Sequence, residues 1–183
     1  MKVKEIIMTA STLLGREDVV DYLANKKVES DDLTLRAIDL MVRCVNIVIS
    51  ELASTYIPMK KKQVFTKSEV PFSEFDEKLT KVLSVTDNNG NQKNYRQYPD
   101  RLIIANGGIV EYQYIPTNYA LDDEVGYTKT EVSPTLIAYG SVSEFCLIER
   151  SFDESVMWRN KFISSLKNII LPKNKKIKER SWC

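Results

Sequence analysis

Between Ser30 and Tyr56, in SDDLTLRAIDLMVRCVNIVISELASTY, the polar residues Arg36, Asp39, Arg43, Asn46, Ser50 and Ser54 recur at alternating spacings of three and four. On a helix of about 3.6 residues per turn these positions form one narrow stripe. The remaining circumference is apolar, from Leu35 and Ile38 through Met41, Val45, Ile47, Val48 and Leu52. Such a pattern predicts a long helix covered on several sides, around which the rest of the chain is arranged. A membrane span is disfavoured by Arg36, Asp39, Arg43 and Asn46 in its middle. Ser30 is expected to cap this helix, with Asp31 and Asp32 meeting the positive end of its dipole.

Upstream, Val3, Ile6, Ile7, Ala10, Leu13 and Leu14 predict a helix over residues 3–14, closed by Gly15. A short helix follows over Arg16 to Asn25, and KKVESDD reads as a loop. Pro58 ends the long helix, and the period changes. KKKQVFTK predicts an edge strand whose lysines discourage edge-to-edge aggregation, and SEVPFSEFDE a loop with Phe72 and Phe75 tucked onto a sheet. Leu79–Thr86 and Gln92–Tyr98 flank an Asn-Gly turn, and Arg101–Ala105 and Ile109–Ile115 flank Asn106-Gly107-Gly108. Both predict hairpins. Val110, Tyr112 and Tyr114 alternate with Glu111 and Gln113, as in a strand wet on one face.

Pro116 to Val132 lacks periodicity and reads as a long exposed connection. Ser133 and Pro134 then open a helix with apolar Leu136, Ile137, Tyr139, Val142, Phe145, Cys146 and Ile148. Ser151 opens another, whose expected buried face is Phe152, Val156, Ile163, Leu166 and Ile170; Pro172 ends it. The expected fold class is α+β: a single domain over residues 1–172, with an antiparallel β-meander of four to five strands (58–116) inserted between N-terminal helices (1–57) and C-terminal helices (133–171). An extended basic tail, 173–183, completes it.

Composition narrows the chemistry. The 183 residues carry 26 Lys and Arg against 25 Asp and Glu, a net charge of +1 that provides no global attraction to nucleic acid, membrane or acidic substrates. The three cysteines, Cys44, Cys146 and Cys183, contain no CxxC pair and suit a reducing cytoplasm. Histidine is absent, which removes the commonest general base and metal ligand. MKVKEIIMTAS is too finely alternating for a secretory signal, so a soluble, unexported chain is expected.

No phosphate loop, dinucleotide fingerprint, nucleophile elbow or HExxH occurs. Glu51, Asp39 and Asp122 to Glu124 are not spaced as one metal site, and Cys44 and Cys146 read as packing residues. No cofactor and no catalytic residue are expected. The tail is the segment whose composition calls for a partner. Lys173, Lys175, Lys176, Lys178 and Arg180 concentrate positive charge beside Trp182, a large apolar anchor that suits a protein pocket better than a DNA groove.

Taken together, the long helix ending in YIPMKKKQVF, the turn VLSVTDNNGN, the helix start SPTLIAYGSVSEF and the terminal IKERSW give a chain that resembles the head-tail adaptor or connector (neck) proteins of tailed bacteriophages and prophages. The resemblance spans the whole chain and contains no catalytic signature. It implies a structural, non-enzymatic homo-oligomer: a dodecameric ring in the virion neck, assembled in the host cytoplasm, through which DNA passes without sequence-specific binding. Its implied partners are the portal protein and stopper or tail proteins. Portal docking then maps by position onto Lys173, Lys175, Lys176, Lys178, Arg180 and Trp182. Arg36, Asp39 and Arg43 become candidates for contacts between subunits. Another neck or tail-completion protein, or a small DNA-binding regulator using the tail as a phosphate clamp, are the alternative readings.

Overall fold

The computed structural model describes residues 1–26, 31–128 and 132–170. It has α1 (Val3–Leu13), α2 (Glu17–Leu23), α3 (Asp32–Glu51), a π-helical turn (Leu52–Tyr56), β1 (Met59–Phe65), β2 (Glu69–Pro71), a 3-10 turn (Phe72–Glu74), β3 (Lys78–Thr86), β4 (Tyr95–Gln97), β5 (Arg101–Ile104), β6 (Gly108–Ile115), α4 (Pro134–Ile148) and α5 (Phe152–Ile170). The mixed α+β class is as expected. The chain divides into two compact units, Met1–Val48 with the described residues from Ala120 on, and Ile49–Tyr119, where a single domain with an insert at 58–116 was expected. No helix among the described residues is long and apolar enough to cross a membrane.

In the helical unit the central element is α4. Leu136, Ile137, Ala138, Gly140, Ser141, Val142, Ser143, Phe145 and Cys146 are all buried, so this helix is covered on nearly every side. It starts as its sequence dictates, with Ser133 Oγ accepting the Leu136 N–H at 3.1 Å and Pro134 in the first turn. Two small residues set how closely α5 approaches it. Ser143 Oγ donates to the Ser155 carbonyl and Ser155 Oγ to the Ser143 carbonyl, both at 2.9 Å, so each buried hydroxyl satisfies the opposite backbone. At Gly140 the packing is tighter still, because a Cβ there would lie 2.8 Å from Val48 Cγ1 of α3 and 3.2 Å from Phe162 Cδ2 of α5.

The inward face of α5 corrects the expectation. Ser155, Trp158, Phe162 and Leu166 are buried, while Phe152, Val156 and Ile170 are 60%, 61% and 46% exposed and Ile163 is half-buried. Two apolar flanks compete on this helix, and the flank with the larger aromatic area wins the core. Trp158 stacks on Tyr139 with ring centroids 5.7 Å apart and carries the Lys161 ammonium 4.1 Å above its own ring. Ile148, expected on the buried face of α4, is 48% exposed.

α3 is also less enclosed than its pattern suggests. Ile38, Met41, Cys44, Val45 and Val48 are buried, but Leu35 and Ile47 are 44% and 47% exposed. Asp31 caps it, taking the Thr34 N–H at 2.7 Å; Ser30, the expected cap, lies outside the described residues. The connection after the β unit, expected to be long and exposed, is exposed at most of its described positions but not at all of them. Val125, Tyr127 and Val132 are buried. Its backbone takes up the N-terminus, with Val3 N–H donating to Asp123 O (3.1 Å), Lys4 N–H to Leu121 O (2.9 Å) and Val125 N–H to Met1 O (2.9 Å). The first two satisfy donors at the start of α1 that no helix can satisfy internally.

In the unit Ile49–Tyr119 the expected meander is instead two three-stranded antiparallel sheets, β1-β6-β3 and β2-β5-β4. β6 lies in the middle of the first, with Met59 opposite Tyr114 and Val85 opposite Val110. The Asn-Gly turn joins its flanks by one bridge, Thr86 to Gln92, and β5 and β6 fall in different sheets. Pairing β6 between two distant strands buries Val110 and Tyr112 against both neighbours, which a hairpin at its own turn cannot do. β1 is an edge strand, with exposed Lys60 and Lys62. The core of this unit contains Phe65, Val70, Phe75, Val82, Val85, Leu102, Ile104, Val110 and Tyr112, with Phe72 packed against it. Phe75 sits edge-on to Tyr112 at 4.8 Å. The buried Tyr112 hydroxyl reaches Gln63 Oε1 at 3.1 Å, so its polar end is satisfied.

Candidate interaction surface

The polar stripe of α3 is on the outside of the helical unit. Arg36, Asp39 and Arg43 are exposed, and Arg43 Nη2 donates to Asp39 Oδ2 at 2.7 Å along the helix. With both side chains about two-thirds exposed, this pair adds little to stability and leaves its charges available to a partner. Lys173, Lys175, Lys176, Lys178, Arg180 and Trp182 lie outside the described residues.

A feature that sequence reasoning missed adjoins the stripe. Leu33, Leu40 and Ile47 recur seven residues apart and form a row beside Arg36 and Arg43. Leu33 is 68% exposed, Ile47 about half-exposed and Leu40 half-buried. The signal was present in the spacing, but in a helix so rich in apolar residues it merged with the buried majority. A second row runs along α5, with Phe152, Val156 and Ile170 exposed and Ile163 half-buried, and Leu147 and Ile148 are exposed at the end of α4.

The first turns of α3 border a cavity of about 540 Å³. Leu33, Arg36, Ala37 and Leu40 line it from α3, Phe145 and Glu149 from the end of α4, and Arg16, Asp18 and Asp31 complete it. Arg16 holds Asp18 with two bonds, Nε to Oδ1 at 2.9 Å and Nη2 to Oδ2 at 2.7 Å, and Thr34 Oγ1 donates to Oδ2 at 3.1 Å. The Arg16 hydrogen bonds, followed by its charge and the Thr34 bond, hold Asp18 well below the usual carboxylate range. Asp31 is also lowered, by the hydrogen bonds from Thr34. With Arg16 neutralised by Asp18, the cavity presents Arg36, Asp31 and Glu149 around apolar Leu33, Leu40 and Phe145, which suits an apolar group carrying a nearby charge.

The depressed Asp18 has a consequence for stability. Its stabilisation is present above the ordinary value of 3.8 and is lost as pH falls through the lower folded value. Because the carboxylate is 41% exposed, the effect stays below about 1 kcal/mol. Asp18→Asn is therefore expected to unfold at slightly lower urea at pH 7. The difference from the parent should vanish on acidification; a difference that persisted at low pH would show a packing defect instead.

Among the described residues no three His, Cys, Asp or Glu side chains are placed to hold a metal ion. Asp123 Oδ2 accepts the Ala120 N–H at 2.7 Å and shapes its own loop. Burial pushes the Cys44 thiol up to about 12 and raises Cys146 as well, which disfavours the nucleophilic thiolate in both. In comparison with known proteins, the chain matches no family model and no curated protein.

Proposed function

We propose that this chain is a non-enzymatic structural subunit of the neck of a tailed bacteriophage or prophage, a head-tail adaptor that forms a dodecameric ring between portal and tail. The observation that carries the reading is the pair of outward apolar rows on α3 and α5, where Leu33, Phe152 and Val156 are each 60% exposed or more. Large apolar side chains grouped on a folded surface favour association, and a ring subunit needs two such faces. The resemblance of YIPMKKKQVF, VLSVTDNNGN, SPTLIAYGSVSEF and IKERSW to neck proteins supplies the setting. DNA then passes through the ring without sequence-specific contact, in keeping with the near-neutral net charge. Lys173 to Cys183 is the portal-docking arm, with Trp182 as its anchor.

Deleting residues 173–183 is expected to leave the circular dichroism spectrum and melting of the described fold unchanged while abolishing incorporation into portal-containing particles. Particles that joined heads to tails normally with the truncated protein would refute the docking role. Salt-sensitive binding of the full chain to duplex DNA, in place of portal binding, would favour the regulator reading.

A further inference from the structure

The outward face of the sheet β1-β6-β3 gathers lysines from both of its flanking strands. We propose that this face binds the phosphate backbone of duplex DNA, independently of base sequence, through Lys60, Lys62, Lys78 and Lys81. For its setting in the virion this rests on the adaptor reading; the surface itself rests on the register and charges of the sheet.

Val110 and Tyr112 of β6 are buried, so the alternate residues Ile109, Glu111, Gln113 and Ile115 point to the other side of the sheet. The register takes their neighbours with them. Lys60 and Lys81 flank Gln113, Lys62 and Ser84 flank Glu111, Val64 and Thr86 flank Ile109, and Lys78 stands opposite Ile115. Lys81 faces outward because of a bulge. Simple alternation along β3 would turn it inward beside Leu79, but Thr80 is an extra residue between Leu79 and Lys81 and re-aims it. At a strand spacing of about 4.8 Å and a rise of about 3.4 Å per residue, Lys60 and Lys81 stand about 10 Å apart across the sheet, and Lys60 and Lys62 about 7 Å apart along β1.

All four lysines are exposed, and none of Lys60, Lys78 and Lys81 is ion-paired among the described residues. Glu111 is the one acid at the outward positions, so the face has an excess of three positive charges. Lys62 lies 3.8 Å from Glu111, and Ser84 donates to the same carboxylate at 3.5 Å. Other acids of the unit are engaged elsewhere: Asp76 with Lys61, Glu74 with Lys67, and Glu69 and Asp100 with Arg101. Asp87 is turned into its own loop by Asn89 and Asn91, and Glu77, before Lys78, has Oε2 buried.

The character of the face selects the occupant. Duplex DNA has one phosphate per about 1.7 Å of axis, so a face about 10 Å wide meets several at once. Protein interfaces, by contrast, are depleted in lysine and built around aromatic anchors. No outward position of these strands is aromatic; Tyr112 and Tyr114 pack together on the inner side. Gln113, Ser84 and Thr86, between the lysines, can add hydrogen bonds to phosphate oxygens. Lysine acts as a point charge on a flexible stem, which positions the backbone without reading bases.

The test titrates the full chain with fluorescent duplexes of two unrelated sequences, from about 50 to 200 mM salt. Both are expected to bind alike and to weaken as salt rises. Lys60→Gln combined with Lys81→Gln should reduce the slope of log K against log salt by about 2, close to 0.9 for each lost phosphate contact, with unchanged melting. Glu111→Gln should tighten binding at every salt concentration. A chain that does not bind duplex, a preference for one sequence, or polyglutamate held as tightly as DNA would each overturn the proposal. So would binding indifferent to the double variant, which would place the contacts in residues 173–183. If binding follows these charges but particles exclude the protein, the surface stands and the adaptor reading fails. Particles that incorporate a chain with no duplex binding leave the adaptor reading standing without this surface.

Discussion

Gly107→Ala is expected to destabilise the β unit by about 3 kcal/mol or more, the largest loss from adding a single carbon anywhere in its turns. Two effects combine. Gly107 has φ +65°, in the left-handed region, where a Cβ alone costs roughly 1–2 kcal/mol. That Cβ would also lie 2.3 Å from the Phe65 carbonyl oxygen and 2.9 Å from the Thr66 carbonyl carbon. Both are backbone atoms, and Phe65 is held by its pairing with Gly108 and by its ring 4.9 Å from Phe75. Neither can move without disturbing the core. The corner is further tied by Lys93 Nζ donating to Gly107 O at 2.6 Å and by Asn106 N–H donating to Ser68 Oγ at 3.2 Å.

Gly90 provides the internal control. It has φ +84° but open space where its Cβ would stand, so Gly90→Ala isolates the backbone term. Urea unfolding of the two variants, with hydrogen exchange of the β1 and β6 amides as a local readout, separates the contributions. A Gly107→Ala loss no greater than that of Gly90→Ala would show that the close approach to Phe65 is relieved at no cost.

The same corner shows what could be read from the sequence and what could not. Asn106-Gly107 announces a turn with positive φ, and both residues adopt it. Whether the flanking strands then pair with each other is a different question. Here β5 turns away into the other sheet, and β6 enters between β1 and β3, with Met59 and Tyr114 meeting from more than fifty positions apart. Local turn chemistry does not encode such long-range pairing; the burial of Val110 and Tyr112 decides it. Phe72 and Phe75 were legible because aromatic residues near strands nearly always find the core.

In the helical unit the periods located α1, α3, α4 and α5 well, down to the Ser133 and Pro134 start of α4. Which helix is central was not legible from length. α3 is longer, but α4 is the one with small residues at its crossings, Gly140, Ser141 and Ser143, and small residues let neighbours close from all sides. The surface rows were hidden for a related reason. When a helix carries apolar residues over most of its circumference, periodicity reports that it is buried somewhere without saying which flank is left over. Arg36, Asp39 and Arg43 were found because they are polar; Leu33 and Ile47 on α3, and Phe152 and Val156 on α5, are exposed as well but resemble core.

Phe162→Ala is expected to cost about 3–5 kcal/mol, since the ring is fully buried between α5 and α4 and its removal leaves a cavity that rigid helices close only in part. Gly140→Ala is expected to cost roughly 1–3 kcal/mol despite the better helix propensity of alanine, a gain of about 1 kcal/mol, because its Cβ meets Val48 Cγ1 at 2.8 Å and Cγ2 at 3.0 Å. Val48 is β-branched and its rotamer is stiff in a helix, so relief has to come from the other side. On that side stands Phe162, 3.2 Å from the same Cβ. Removing the ring lets α4 shift toward the space it leaves, and the added methyl then fills part of that space. The double variant should therefore lose less than the sum of the two single losses, by about 0.5 kcal/mol or more in a double-mutant cycle. Strict additivity would mean that Gly140→Ala acts through Val48 alone and that α4 is fixed by its serine bonds to α5. Arg159 gives a separate check: its guanidinium lies 5.1 Å from the Phe162 ring centroid, so Phe162→Leu, which preserves bulk and removes the aromatic face, should cost clearly less than Phe162→Ala if volume dominates.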